Sequence, residues 1–145
     1  MSLASYAAKL AIRPQGAVES ALFEHIWAQK PIATVLAELM GAEVYLFAGT
    51  SAEAIAAGAD PKPLVMQGRD GGPAMLVFTG RARCAAIAKQ MPDPSAAPIA
   101  MPFREVLRWV PIELGLAINP GSALAAECTP AQMNELRKQA GIFRP

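Results

Sequence analysis

Thirteen prolines and eleven glycines punctuate these 145 residues and limit the length of everything that can fold between them. Proline ends a helix interior and glycine invites a turn, so the elements must be short and numerous. The longest stretch without a charge, Leu114–Ala126, spans 13 residues, and Asn119-Pro120-Gly121 interrupts it. A membrane-spanning helix needs about 20 apolar residues, so none is expected. Met1–Ile12 has no basic start and is split by Lys9, so it does not read as a secretory signal. The expectation is a soluble, cytoplasmic protein.

Hydrophobic residues make up 53% of the chain and charged residues 17%, which excludes a disordered polar tail. Thirty of the apolar residues are alanines, so the core draws on fewer large side chains than that fraction suggests. The length favours one domain, residues 1–145. The formal net charge is +1. Bulk electrostatics therefore favours neither nucleic acid nor an anionic membrane as partner.

Periodicity places the elements. Val18, Leu22 and Ile26 recur every four residues in a helix over about 17–29, with Phe23 and Trp27 beside them. Ile32, Val35, Leu36, Leu39 and Met40 form a cleaner amphipathic stripe, ended by Gly41 at positive φ. Glu43–Ala48 reads as a strand, and Thr50-x-x-Glu53 as a capping box before a short helix. Leu64–Gln67 and Ala74–Phe78 form a hairpin around Arg69-Asp70-Gly71-Gly72-Pro73. Thr79 caps a helix to about Gln90. Ile99–Met101 is a short strand, Pro102 opens a helix through Phe103, Val106, Leu107 and Val110, and Leu114–Ile118 is a strand. Asn119-Pro120-Gly121-Ser122 fits a type II turn into a return strand, Ala123–Glu127. Thr129-Pro130-Ala131-Gln132 caps a last helix ended by Gly141. The order predicts a mixed α/β (α+β) fold, a single mixed sheet of five to six strands flanked by helices. Strands 74–78, 99–101 and 114–118 are expected to run parallel.

Met75-Leu76-Val77-Phe78-Thr79 before a helix, the segment Pro102–Leu107, and Gly115–Ser122 together resemble the N-terminal domain of the SseB family, named for enhanced serine sensitivity. Glu19-x-x-Leu22 and the Leu36–Phe47 segment also fit, and the likeness covers residues 17–140. Gly80 stands where the family often has serine. The family's further C-terminal domain is not expected in this chain. The resemblance implies an α/β domain and a bacterial protein. It implies no established chemistry and supplies no catalytic residues.

The residues themselves offer little catalytic machinery. Cys84 and Cys128 are the only cysteines and match no metal or disulfide framework, and His25 is the only histidine. No metal or nucleotide cofactor is expected. The leading expectation is a non-catalytic binding or regulatory module. The alternatives are a small hydrolase or transferase with a site near Thr79 and Asn119, or a structural homodimeric scaffold. A site for a small anion or peptide carboxylate is expected around Thr79, Gly80, Arg81, Arg104, Asn119 and Ser122, outside the carboxyl ends of parallel strands. Trp27, Trp109 and Phe143 are candidate interface anchors for a protein partner.

Overall fold

The computed structural model describes residues 14–47, 53–54, 57–58, 64–69, 72–88 and 98–142, the side chains of Ala86, Ala88 and Trp109 excepted. The helix expected after Thr50 falls mostly outside them, as does Phe143. The first helix, α1 (Gly16–Trp27), begins with the backbone N–H of Gln15 donating to the Glu19 carboxylate at 3.1 Å. That bond satisfies an N–H at the helix entrance, where the backbone has no partner of its own. The chain leaves α1 through Gln29 at φ 56° and enters α2 (Ile32–Leu39) at Pro31. Gly41 is not at positive φ as expected. Met40 stays helical, and the N–H groups of Gly41 and Ala42 close tight turns onto Glu38 and Leu39.

β1 (Glu43–Leu46) follows, then the antiparallel hairpin β2 (Val65–Gln67) and β3 (Pro73–Val77). α3 (Arg81–Ala88), β4 (Ile99–Pro102) and α4 (Phe103–Trp109) lead to β5 (Gly115–Ile118), β6 (Ala126–Cys128) and α5 (Pro130–Ala140). The mixed α+β class is as expected, but the single sheet is not. Four strands lie in the order β2-β3-β5-β6, while β1 and β4 form a separate antiparallel pair. The two sheets touch at one bridge, where the backbones of Tyr45 and Phe78 exchange two hydrogen bonds of 2.8 Å. The reason is local. The β2 hairpin arm occupies β3 from Pro73 to Met75, leaving β1 only its far end. β3 and β5 are parallel neighbours, Ala74 opposite Gly115 through Val77 opposite Ile118. β4 is not their neighbour, yet it runs in the same direction, because both β3 and β4 are antiparallel to β1.

The sheet buries both faces. Met75, Val77, Leu116 and Ile118 meet α1, α2, α4 and α5 in the larger core cluster. Leu76 and Phe78 face the other way, onto Phe47 and Cys84. Phe47 and Phe78 pack edge to face, 5.9 Å between centroids at 81°, a geometry that aromatic quadrupoles favour. α4 is only seven residues long, and the buried Arg137 of α5 finishes it by donating to Leu107 O and Val110 O at 2.9 and 2.8 Å. α5 keeps both expected caps, the Thr129–Gln132 box and Gly141 at φ 69°. Thr129→Ala should cost about 1 kcal/mol in urea unfolding, because the Gln132 N–H loses its acceptor.

One glycine is fixed by close approach rather than by turn geometry. A Cβ on Gly115 would stand 2.5 Å from the carbonyl oxygen of Cys128, which is backbone and cannot rotate away. Gly115→Ala should therefore destabilise by about 1–3 kcal/mol, read as a lower urea midpoint. An unchanged midpoint would mean that β5 and β6 separate more easily than this spacing implies.

Candidate functional site

β3 and β5 end side by side, so residues 79 and 119 emerge together. The Asn119 N–H donates to Val77 O at 2.9 Å, extending the ladder by one step. The Thr79 N–H donates to Asn119 Oδ1 at 3.0 Å, and Asn119 Nδ2 donates to Thr79 Oγ1 at 2.9 Å and Leu124 O at 3.3 Å. Asn119 is fully buried and sits at φ 50°, a left-handed conformation that asparagine tolerates better than most residues. The Thr79 hydroxyl, its acceptor role taken by Asn119, donates to Glu19 Oε2 at 2.6 Å. Arg83 then forks onto the same carboxylate, Nη2 to Oε1 at 2.7 Å and Nε to Oε2 at 3.2 Å. Three elements, α1, α3 and the paired strand ends, are tied through Glu19, which is 2% exposed.

The chemistry of this junction follows from who holds which proton. Burial alone would push the Glu19 carboxyl up. The hydrogen bonds from Arg83, Thr79 and the Gln15 backbone, with the charge of Arg83, outweigh it and hold the carboxyl below its ordinary range. A carboxylate so stabilised is a weak base near neutral pH, so it polarises the Thr79 hydroxyl without a strong tendency to take its proton. The thiols are no better placed. Burial raises Cys84 to about 11 and Cys128 to about 12, so both are thiols at neutral pH. Alkylation of the folded protein by iodoacetamide at pH 7.5 should accordingly run on the order of a hundredfold slower than in urea, read by mass spectrometry. Among the described residues, no three of His, Cys, Asp and Glu converge as a metal-binding set.

A second feature lies along β6. An open groove of ≈ 790 Å³ runs past this strand, walled by small residues such as Ala74, Gly115, Ala123 and Ala126. A smaller cavity of ≈ 230 Å³ adjoins it and shares Arg69, Ala125, Ala126 and Glu127. The Arg69 backbone N–H and Nε meet the Glu127 carboxylate at 2.9 and 3.4 Å, between the two spaces. The Arg69 side chain is 91% exposed, so this pair is solvated and contributes little to stability. His25 also borders the groove, with Nδ1 2.6 Å from Lys30 O.

Comparison with known families matches residues 18–135 to the SseB protein N-terminal domain. The chain belongs to the SseB family. No curated protein and no solved structure matches it. The match lies inside the 17–140 span recognised from motifs. It takes in both Glu19 and Asn119, so the junction is part of the SseB domain itself. No helix among the described residues is long and apolar enough to cross a membrane.

Within this SseB domain the six expected ligand residues divide. Thr79 and Asn119 are bonded to each other. Ser122 Oγ accepts the Leu124 N–H at 3.1 Å, and its own N–H donates to Asn119 O at 3.0 Å, closing the expected turn with Gly121 at φ 83°. Gly80 has open space at its Cα, and its carbonyl accepts from the Arg83 N–H. Arg81 is exposed, its guanidinium 5.6 Å from the Tyr45 ring centroid. Arg104 is exposed on the first turn of α4 and joins none of the other five by hydrogen bond or ion pair. Thr79 does not cap the helix as expected: its hydroxyl oxygen accepts from Asn119 Nδ2, and the helix begins at Arg81. Of the candidate anchors, Trp27 is half-buried against Phe23, ring centroids 4.9 Å apart, while the side chains of Trp109 and Phe143 lie outside the described residues.

In the sequence, Glu19 stands out only as part of the family likeness, and Arg83 is given no role at a site. The available signal was positional. Glu19 sits between Val18 and Leu22 on the apolar stripe of α1, where an acid must find a partner or forfeit its charge.

Proposed function

We propose that this SseB domain is a non-catalytic binding module, and that its ligand occupies the groove along β6. The observation that carries the reading is the contrast between the two features. At the junction, the Thr79 hydroxyl proton and both Asn119 amide protons are already donated inside the chain, and Glu19 is saturated by acceptor bonds. Such a cluster holds elements together and has little left to offer a substrate. The groove is open, and its size falls within the roughly 300–1,000 Å³ typical of ligand sites. A small hydrolase or transferase would need a base beside Thr79, and the carboxylate there is held in its weakly basic form. An anion site would rest chiefly on Gly80, Arg81 and Arg104, next to a buried negative charge.

The test is a mixed library of peptides and small metabolites added to the isotope-labelled protein and followed by amide NMR. Shifts are expected at Ala74, Gly115 and residues 122–128, and Ala123→Trp, an exposed position on the groove wall, should abolish them. Shifts confined to Thr79–Arg81 and Arg104 would move the site to the strand ends. Turnover of any library member that is lost in Thr79→Val would replace the binding module with an enzyme.

A further inference from the structure

Resting on the groove reading above, we infer that the occupant is an extended polypeptide segment bearing a basic side chain, added as a strand to the free edge of β6. β6 is the terminal strand of its sheet, so one of its edges has no strand beside it among the described residues. All three of its residues line the groove. An unpaired strand edge presents backbone N–H and C=O groups at a regular spacing, which an incoming extended segment can satisfy. The small walls at Ala123 and Ala125 leave room for a second backbone to approach.

Charge gives the segment its character. Glu113 is exposed at the groove and has neither a hydrogen-bond nor an ion-pair partner among the described residues. Among the described residues, Glu127 is met only by the solvated Arg69. Two carboxylates therefore face the space against one guanidinium, and a lysine or arginine from the added strand balances them. Alternate residues of a strand point to opposite sides, so one such side chain can enter the groove while its neighbours point away. The same charges argue against a second copy of this chain. Antiparallel pairing of β6 with itself about its middle residue would set Glu127 directly opposite Glu127, and like charges in that position repel.

The test uses the full chain and a capped pentapeptide with a central lysine between two valines and a threonine at each end. Titration should shift the amides of Ala126–Cys128 and Glu113. Glu113→Gln should weaken binding about two- to fivefold, the range of an exposed ion pair. N-methylation of the peptide's edge-facing amides should remove binding. Equal affinity for a peptide with glutamate in place of lysine, or undiminished binding of the N-methylated peptide, would overturn the inference. So would shifts of the β6 amides on raising protein concentration alone, which would assign the edge to a second copy. If library ligands bind in the groove and are lost in Ala123→Trp while the lysine peptide does not bind, the strand inference falls and the groove reading stands. If neither binds, both fall.

Discussion

Asn119→Ala should destabilise the domain by about 4 kcal/mol in urea unfolding at pH 7, the largest effect expected of any polar substitution here. Two costs combine. Alanine removes the acceptor of the Thr79 N–H, at a half-buried residue, and the donor to the buried Leu124 O. Leaving such groups unpaired costs about 1–3 kcal/mol each. Alanine must also hold the φ of 50° that asparagine now adopts, at about 1–2 kcal/mol. Asn119→Gly separates the two, because glycine accepts the angle but supplies no side chain. It should recover only about 1 kcal/mol of the loss. Full recovery would mean that the strand ends are held by backbone geometry alone and that the side-chain bridge to Thr79 is incidental.

The same residue shows where sequence reading succeeds and where it stops. Asn119-Pro120-Gly121-Ser122 announces a turn through the conformational limits of proline and glycine, which are properties of single residues, and the turn is there. That Asn119 also reaches Thr79, 40 positions away, is a property of the parallel pairing of β3 and β5. That pairing was expected from the intervening helices. The break between the sheets was not, because nothing in Glu43–Ala48 says that β3 offers it one bridge instead of a ladder. Whether a strand joins a sheet depends on which competitor reaches the edge first, and here the tight hairpin to β2 holds it. Caps set by near neighbours, as at Thr129, were legible for the same reason the turn was. Thr79 departs from the expected cap because the side-chain amide of a distant residue, Asn119, takes its hydroxyl oxygen as acceptor in place of a helix N–H. The groove is invisible in sequence, since the alanines that wall it look like ordinary small core residues until three strands and the end of α1 are brought together.

Arg83→Ala and Glu19→Gln should differ in how their stability responds to pH, and that difference tests the account of the junction. In the native protein Glu19 titrates below its ordinary value of 4.5, so its ionised form stabilises the fold above that pH. This contribution is lost as pH falls through the lower, folded value. Glu19→Gln keeps the shape but discards the charge, so its stability should trail the native protein at pH 7 and converge with it in acid. Arg83→Ala leaves the carboxylate buried with only Thr79 and the Gln15 backbone to hold it. Burial, the largest single influence on this group, is then opposed by those two hydrogen bonds alone, and the carboxyl is expected to rise above its ordinary value. The sign inverts: Glu19 now opposes folding at neutral pH, and acidification toward pH 5 should restore stability to the variant while leaving the native protein nearly unchanged. Breaking a fully buried pair costs about 3–5 kcal/mol, and the Arg83 side chain retains 28% exposure, so about 2–4 kcal/mol is expected at pH 7. Urea titrations of the three proteins at pH 7, at pH 5 and at about pH 3, below the carboxylate's ordinary value, suffice to decide. Parallel pH dependence in the native protein and Arg83→Ala would show that water already screens Glu19. The junction would then be a surface contact, free to rearrange around a ligand, and the case for placing the ligand in the β6 groove instead would lose its main support.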